Sequence, residues 1–195
     1  MQNFAISAMG RSGTRFLAET MDRSSRWCVK HEPGVAGLVM EAEQVADRFE
    51  RQCYGEVNSY LRHILLELPV AKFGVIVRNP ADILLSAINW MPKHKIMKPK
   101  MDLIALGYVC LDATIEEDGV ELIRFERMTT DVAYLQDVLE RFDVWDVEVS
   151  PATIAKKVNK PASYAFKTYD EIPVSVRRYY ERQTNWYKEK YYASS

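Results

Sequence analysis

A chain of 195 residues is long enough for one compact unit with a substantial core and short for two, so a single domain over 1–195 is expected. With 48% hydrophobic residues, and 26 basic side chains against 27 acidic ones, the composition excludes a disordered chain and a binder that gathers nucleic acid by its overall field. A formal net charge of −1 means that any anionic ligand must be held by groups placed locally.

Asn3 to Ala8 (NFAISA) is a short apolar run, and Thr14 to Met21 (TRFLAETM) carries apolar residues at helical spacing, so the chain opens strand, turn, helix. Arg26 to Lys30 predicts a second strand. Beyond Pro33-Gly34 the pattern predicts a helix over Val35 to Arg51 and another from Val57 to Leu68, stopped by Pro69. Phe73 to Val77 (FGVIV) is continuously apolar, as in a strand covered on both faces at the centre of a parallel sheet. Asn79 can cap the next helix and Pro80 suits its first position, which predicts a helix from Pro80 to Trp90. The basic segment Met91 to Lys100 (MPKHKIMKPK), with two prolines, reads as a mobile solvated loop.

A helix over Met101 to Glu116, a strand over Val120 to Phe125 and a helix over Thr130 to Phe142 complete the alternation. The segment Pro151 to Tyr169 is polar and loop-rich, and Pro173 to Tyr192 predicts a last helix. Its Tyr179, Tyr180, Trp186, Tyr187, Tyr191 and Tyr192 recur near helical spacing, as packing against a sheet requires. The fold class that follows is α/β, a three-layer sandwich with a mostly parallel central sheet flanked by helices. Cys28, Cys53 and Cys110 are odd in number and unpaired in spacing, which points to free thiols and to no metal centre. No leader-like start and no run of about 18 apolar residues occurs, so a cytoplasmic protein without a membrane partner is expected.

Two segments carry chemistry. The turn Gly10-Arg11-Ser12-Gly13-Thr14 joins the first strand to the first helix, where glycines let backbone N–H groups converge on an anion and the helix N-terminus adds partial positive charge. Thr14 offers a hydroxyl, Arg11 a planar cationic fork, and Arg15 reinforcement. The spacing is not that of a Walker A loop, because no Gly-Lys-Ser/Thr follows. Arg78 closes the central strand on the same edge of the sheet, and on the helix after it Asn79, Asp82, Ile83 and Ser86 share a face.

Together, Gly10-Arg11-Ser12-Gly13-Thr14 and Val77-Arg78-Asn79-Pro80 with Ser86 resemble the sulfotransferase family, whose fold is P-loop NTPase-like. The segment Glu121 to Met128 (ELIRFERM) is similar to the family's later strand, with Phe125 and Met128 as departures, and the resemblance weakens after Phe142. It implies 3′-phosphoadenosine 5′-phosphosulfate (PAPS) as donor co-substrate, held by its 5′-phosphosulfate at the first segment and by its 3′-phosphate at the second. It implies further that Arg11 stabilises charge on the transferring group, that Phe16 stacks on adenine if it is not a core residue, and that Lys160 reaches the 3′-phosphate or the adenine pocket.

Sulfuryl transfer to a hydroxyl of a small molecule or glycan needs a base, because the nucleophile loses its proton as the bond forms. His31 and Glu32 follow the second predicted strand, and the Glu32-Pro33 pairing resembles the glutamate-using branch of the family, with His31 as reserve or partner. The expected mechanism is in-line displacement without a metal. An atypical nucleotide or small-molecule kinase and a non-catalytic nucleotide-binding module are the competing readings.

Overall fold

The computed structural model describes residues 2–33, 51–90, 98–155 and 165–193. The helix expected over Val35 to Arg51, the basic run 91–97 and Lys160 lie outside these, apart from Arg51 itself. The described elements are β1 (Asn3–Ala8), α1 (Thr14–Met21), β2 (Trp27–His31), β3 (Cys53–Val57), β4 (Lys72–Val77), α2 (Pro80–Trp90), α3 (Lys98–Ile115), β5 (Val120–Arg124), α4 (Phe125–Met128), α5 (Val132–Arg141), α6 (Pro151–Ala155) and α7 (Val174–Tyr192). Short 3₁₀ turns cover Ser59–His63, Leu65–Glu67 and Tyr169–Glu171.

The five strands form one sheet in the order β2-β3-β1-β4-β5, and every neighbouring pair is parallel. The period of two along β1 sorts its side chains between two cores. Phe4, Ile6 and Ala8 enter a cluster with Phe16 and Leu17 of α1 and Leu135 and Val138 of α5. Ala5 enters the opposite cluster with Ile83 of α2, Leu111 of α3 and Tyr180 and Tyr187 of α7. The sheet is thus sandwiched between α1 with α5 on one face and α2, α3 and α7 on the other. Each fully buried aromatic or aliphatic side chain contributes about 1.5–3 kcal/mol to holding those layers together.

The aromatic run of α7 packs as its spacing predicts, with Tyr180, Tyr187 and Tyr191 buried and the Tyr180 and Tyr108 hydroxyls 2.9 Å apart. Cys28 and Cys53 are buried free thiols, and Cys110 is a partly exposed one. Asn79 does cap α2, its side chain accepting the N–H of Ala81 at 3.0 Å.

Three boundaries differ from the sequence reading. Val57 does not begin a helix: it ends β3, and the chain then makes two 3₁₀ turns. β3 (CYGEV) escapes a hydrophobicity pattern because Glu56 interrupts it, yet Glu56 is fully buried. Its carboxylate accepts the Asn58 side-chain amide at 2.6 Å and the Tyr54 hydroxyl at 3.5 Å, which lets a charged residue occupy a covered strand. Phe125 leaves the last strand to start α4, and Lys98 to Lys100, read as loop, already belong to α3. Among the described residues no helix is long and apolar enough to cross a membrane.

Candidate functional site

A parallel sheet delivers the carboxyl ends of all its strands to one edge, where ligands of open α/β folds bind. Here the loop 9–13 follows β1, Glu32 follows β2, Ser59 lies just beyond β3, Arg78 follows β4 and Glu126 lies just beyond β5. The strand order changes direction at β1, with β3 on one side and β4 on the other.

The loop after β1 is shaped by two residues in the left-handed region, Arg11 at φ 72° and Gly13 at φ 82°. Gly13 is also the N-cap of α1, so the free N–H groups of that helix open onto the loop. A Cβ at Gly13 would lie 2.6 Å from the Phe125 ring, whereas one at Gly10 would meet nothing within 4 Å. The loop is tight on its inner side and open above Gly10. Ser12 is fully buried, and among the described residues its hydroxyl has no hydrogen-bond partner.

The two cationic segments meet. Arg11 donates from Nε to the Ser86 hydroxyl at 3.1 Å, and Arg78 donates from Nη1 to the Arg11 carbonyl at 2.5 Å. The Arg78 guanidinium lies 4.1 Å above the Phe125 ring, and its buried Nε has no hydrogen-bond partner among the described residues. Burial, then the charge of Arg78, pulls the Arg11 pKa down, opposed by Glu32. Arg78 is also pulled down by burial, with Asp82 and Glu126 opposing. Two partly desolvated guanidiniums this close repel each other, and an anion bearing more than one charge relieves that repulsion.

On the other side of the loop, the Thr14 hydroxyl is 3.1 Å from His31 Nε2, and His31 Nε2 is 3.8 Å from Glu32 Oε1. Glu32 has φ 46°, and its Oε1 accepts the Ser59 hydroxyl at 2.5 Å. The Ser59 carbonyl in turn accepts from Arg62. Burial lowers the His31 pKa, with Glu32 opposing, so the imidazole is neutral at neutral pH and can accept a proton. One carboxylate, one neutral imidazole and one loop hydroxyl therefore sit together beside the helix N-terminus.

Gly10, Arg11, Ser12, Gly13, Thr14, His31, Glu32, Arg78 and Ser86 thus fall at one edge, as the sequence reading requires. Two other residues are placed differently. Phe16 is 7% exposed and packs in the core with Leu17 and Met21, so it offers no free face to a base and the stacking alternative is set aside. Arg15 pairs with Glu19 on α1 at 2.7 Å, while its charge still reaches His31 and helps to lower the imidazole pKa. Ser59, Arg62, Glu126 and Tyr192 were missed by the sequence reading. Ser59 carried a signal, since Asn58-Ser59 can cap a turn after CYGEV, while Tyr192 carried none.

No protein-family model and no curated protein matches the sequence. Solved structures do match the fold. A mouse sulfotransferase complexed with PAP superimposes with a TM-score of 0.60 at 15% identity, covering 96% of this chain and 85% of that one. The chain has a sulfotransferase fold. A sulfotransferase from Alicyclobacillus acidocaldarius superimposes with a TM-score of 0.51 at 16% identity, covering 96% of this chain and 94% of that one. The five-stranded parallel sheet with helices on both faces is the P-loop-like sandwich of these neighbours.

Proposed function

We propose that the protein is a sulfotransferase that moves a sulfuryl group from PAPS to a hydroxyl of a small molecule or glycan. The observation that carries this reading is the Arg11–Ser86 contact, reinforced by Arg78 on the Arg11 carbonyl. It joins the two motifs into one cradle with cations on both halves, as a nucleotide phosphorylated at both the 3′ and 5′ positions requires. A donor of this type fits the residues present: the orphaned Ser12 hydroxyl, the open space above Gly10 and the unused Arg78 Nε all lie at the cradle. The mouse neighbour's bound PAP, adenosine 3′,5′-bisphosphate, is the product such a donor leaves.

When bound, the donor supplies an activated sulfuryl group for in-line displacement. Gly10 to Thr14 hold its 5′ end through backbone N–H groups and the Ser12 and Thr14 hydroxyls. Arg78 and Ser86 hold the 3′-phosphate. Arg11 lies between them and stabilises charge as it develops. Glu32, beside His31 and held by Ser59, takes the proton of the acceptor hydroxyl, and His31 orients it. Lys160 remains a proposed contact to the nucleotide, and Arg15 reaches it by leaving Glu19. No step calls for a metal.

Titration calorimetry tests the reading. Tighter binding of adenosine 3′,5′-bisphosphate than of ATP is expected, and the reverse preference would replace it with the kinase alternative. Glu32→Gln is expected to abolish transfer in an acceptor screen while leaving bisphosphate affinity nearly intact. Undiminished transfer removes Glu32 from the base role.

A further inference from the structure

Beside the cradle stands a carboxylate that the reaction does not use. Glu126, in α4, accepts the backbone N–H of Asn79 at 3.0 Å through Oε1 and the Tyr192 hydroxyl at 3.0 Å through Oε2. Asn79 is the cap of α2 and the residue immediately after Arg78, so its N–H reports directly on where that arginine leaves the sheet. Its carbonyl accepts the N–H groups of Asp82 and Ile83, which ties the same peptide to the first turn of the helix that bears Ser86. Glu126 therefore holds the shared root of Arg78 and Ser86.

Tyr192 holds Glu126 from the far side and is the last residue of α7. That end is itself fixed: Arg124 donates to the Tyr191 carbonyl at 2.7 Å, the Tyr191 hydroxyl donates to Asp112 at 2.6 Å, and Lys190 pairs with Asp112 at 2.7 Å. Glu126 and Tyr192 both lie within electrostatic reach of the Arg78 guanidinium. Three segments distant in the chain, the end of β4, the end of β5 and the end of the last helix, converge on one carboxylate.

We propose that Glu126, latched by Tyr192, is a positioning residue for the 3′-phosphate half of the site. This rests on the functional reading above. It acts through Asn79 and sets the selectivity for a nucleotide phosphorylated at the 3′ position. Charge and geometry make opposite demands here. A carboxylate near Arg78 opposes an incoming phosphate, so an effect through charge alone means that Glu126→Gln tightens binding. An effect through geometry means that glutamine, whose carbonyl still accepts the Asn79 N–H, preserves binding while alanine loses it.

The test is calorimetry of adenosine 3′,5′-bisphosphate and adenosine 5′-monophosphate against the wild type, Glu126→Ala, Glu126→Gln and Tyr192→Phe, each first checked for cooperative thermal unfolding. Loss of a hydrogen bond to a charged acceptor corresponds to about a tenfold change. Glu126→Ala is expected to bind the bisphosphate about tenfold more weakly and the monophosphate almost unchanged. Glu126→Gln is expected to stay close to the wild type, and Tyr192→Phe to lose about threefold on the bisphosphate alone. A bisphosphate-to-monophosphate ratio that Glu126→Ala leaves unchanged, including an equal loss for both nucleotides, overturns the proposal, as does tighter bisphosphate binding by Glu126→Gln. Where Glu126→Ala does not fold, the ratio in Tyr192→Phe decides. A wild type with no preference for the bisphosphate overturns the functional reading itself, a result distinct from a preference that the variants fail to shift.

Discussion

Replacing Gly13 by alanine puts a methyl group where the backbone and the packing both forbid one. At φ 82° an L-residue pays about 1–2 kcal/mol relative to its ordinary conformations. The new Cβ would also lie 2.6 and 2.7 Å from two carbons of the Phe125 ring and 3.2 Å from the Met128 methyl. Met128 is fully buried and Phe125 partly buried against the same core, so the added methyl overpacks this side of the loop, at a cost of about 1–3 kcal/mol. The sum is about 2–5 kcal/mol, and at about 2–4 °C per kcal/mol for a chain of this size the melting temperature falls by at least about 4 °C. Gly10→Ala is the matched control, because its Cβ meets nothing within 4 Å and its backbone lies outside the left-handed region. It is expected to leave the melting temperature within the spread of ordinary surface changes, about 0.5 kcal/mol, while weakening bisphosphate binding at the open side of the loop. Calorimetric unfolding and nucleotide titration on both variants separate the two effects. Equal melting temperatures for Gly13→Ala and Gly10→Ala would refute the division of the loop into a packed side and a ligand side.

Other outcomes follow from the same geometry. Arg78→Ala and Ser86→Ala are expected to weaken bisphosphate binding, by about tenfold or more for the arginine, while 5′-monophosphate binding changes little; titration of both nucleotides checks this, and an equal loss for both contradicts the assignment. Burial holds the His31 pKa below its usual 6.5, so between those values the unfolded chain binds the extra proton and stability falls as pH drops through that window. Denaturant unfolding at about pH 7 and pH 5.5 should therefore show a smaller loss in His31→Asn than in the wild type, with His63, lowered likewise by burial, contributing equally to both. Asp146 accepts from the Ser24 hydroxyl at 2.6 Å and from the Ser25 N–H and hydroxyl at 2.7 Å, which outweigh burial and pull its pKa down to about 2. Its contribution is full above the unfolded value of 3.8 and is lost as pH falls toward about 2. Because the side chain is exposed, solvent screening reduces that contribution, and Asp146→Asn is expected to cost about 1 kcal/mol at neutral pH in a denaturant melt.

What the sequence made legible is what local rules govern. FGVIV reads as a covered strand because a buried parallel strand is apolar on both faces, and Asn79-Pro80 reads as a helix start because a cap and a missing N–H each suit one position. Placement of Arg11, Glu32, Arg78 and Ser86 at one edge then follows from parallel topology alone. The residues that stayed hidden depend on contacts made by folding. Glu56 becomes tolerable within β3 only once Asn58 and Tyr54 surround its carboxylate, so no window of the sequence marks CYGEV as a strand. With β3 unread, Ser59 looked like the interior of a helix instead of the residue that holds Glu32. Tyr192 meets Glu126 across 66 positions, and such a contact leaves no periodicity to detect. Phe16 shows the opposite limit, since an aromatic on α1 has the same pattern whether it fills a core or stacks on a base, and only burial separates the two.

Backbone strain bears on the proposed roles of Arg11 and Glu32. The described non-glycine residues with positive φ are Arg11, Glu32 and Asp143, and two of the three carry the charges assigned to the reaction. Strain of this kind persists where the surrounding structure enforces it, which it does here through the Arg78 contact on the Arg11 carbonyl and the Ser59 contact on Glu32. The cost at Glu32 can be isolated with two variants that both lack the carboxylate. Glu32→Ala loses the Ser59 hydrogen bond and keeps the strain at φ 46°, whereas Glu32→Gly loses the same bond and relieves about 1–2 kcal/mol of strain, offset by about 0.5–1 kcal/mol of added chain entropy in the unfolded state. Glycine is therefore expected to be more stable than alanine by up to about 1.5 kcal/mol, the reverse of their order at an ordinary position, with transfer equally abolished in both. Unfolding in denaturant resolves a difference of that size. Alanine matching or exceeding glycine would mean that the Glu32 backbone is relaxed, and its position would then reflect the fold of the β2 end instead of the demands of the acceptor site.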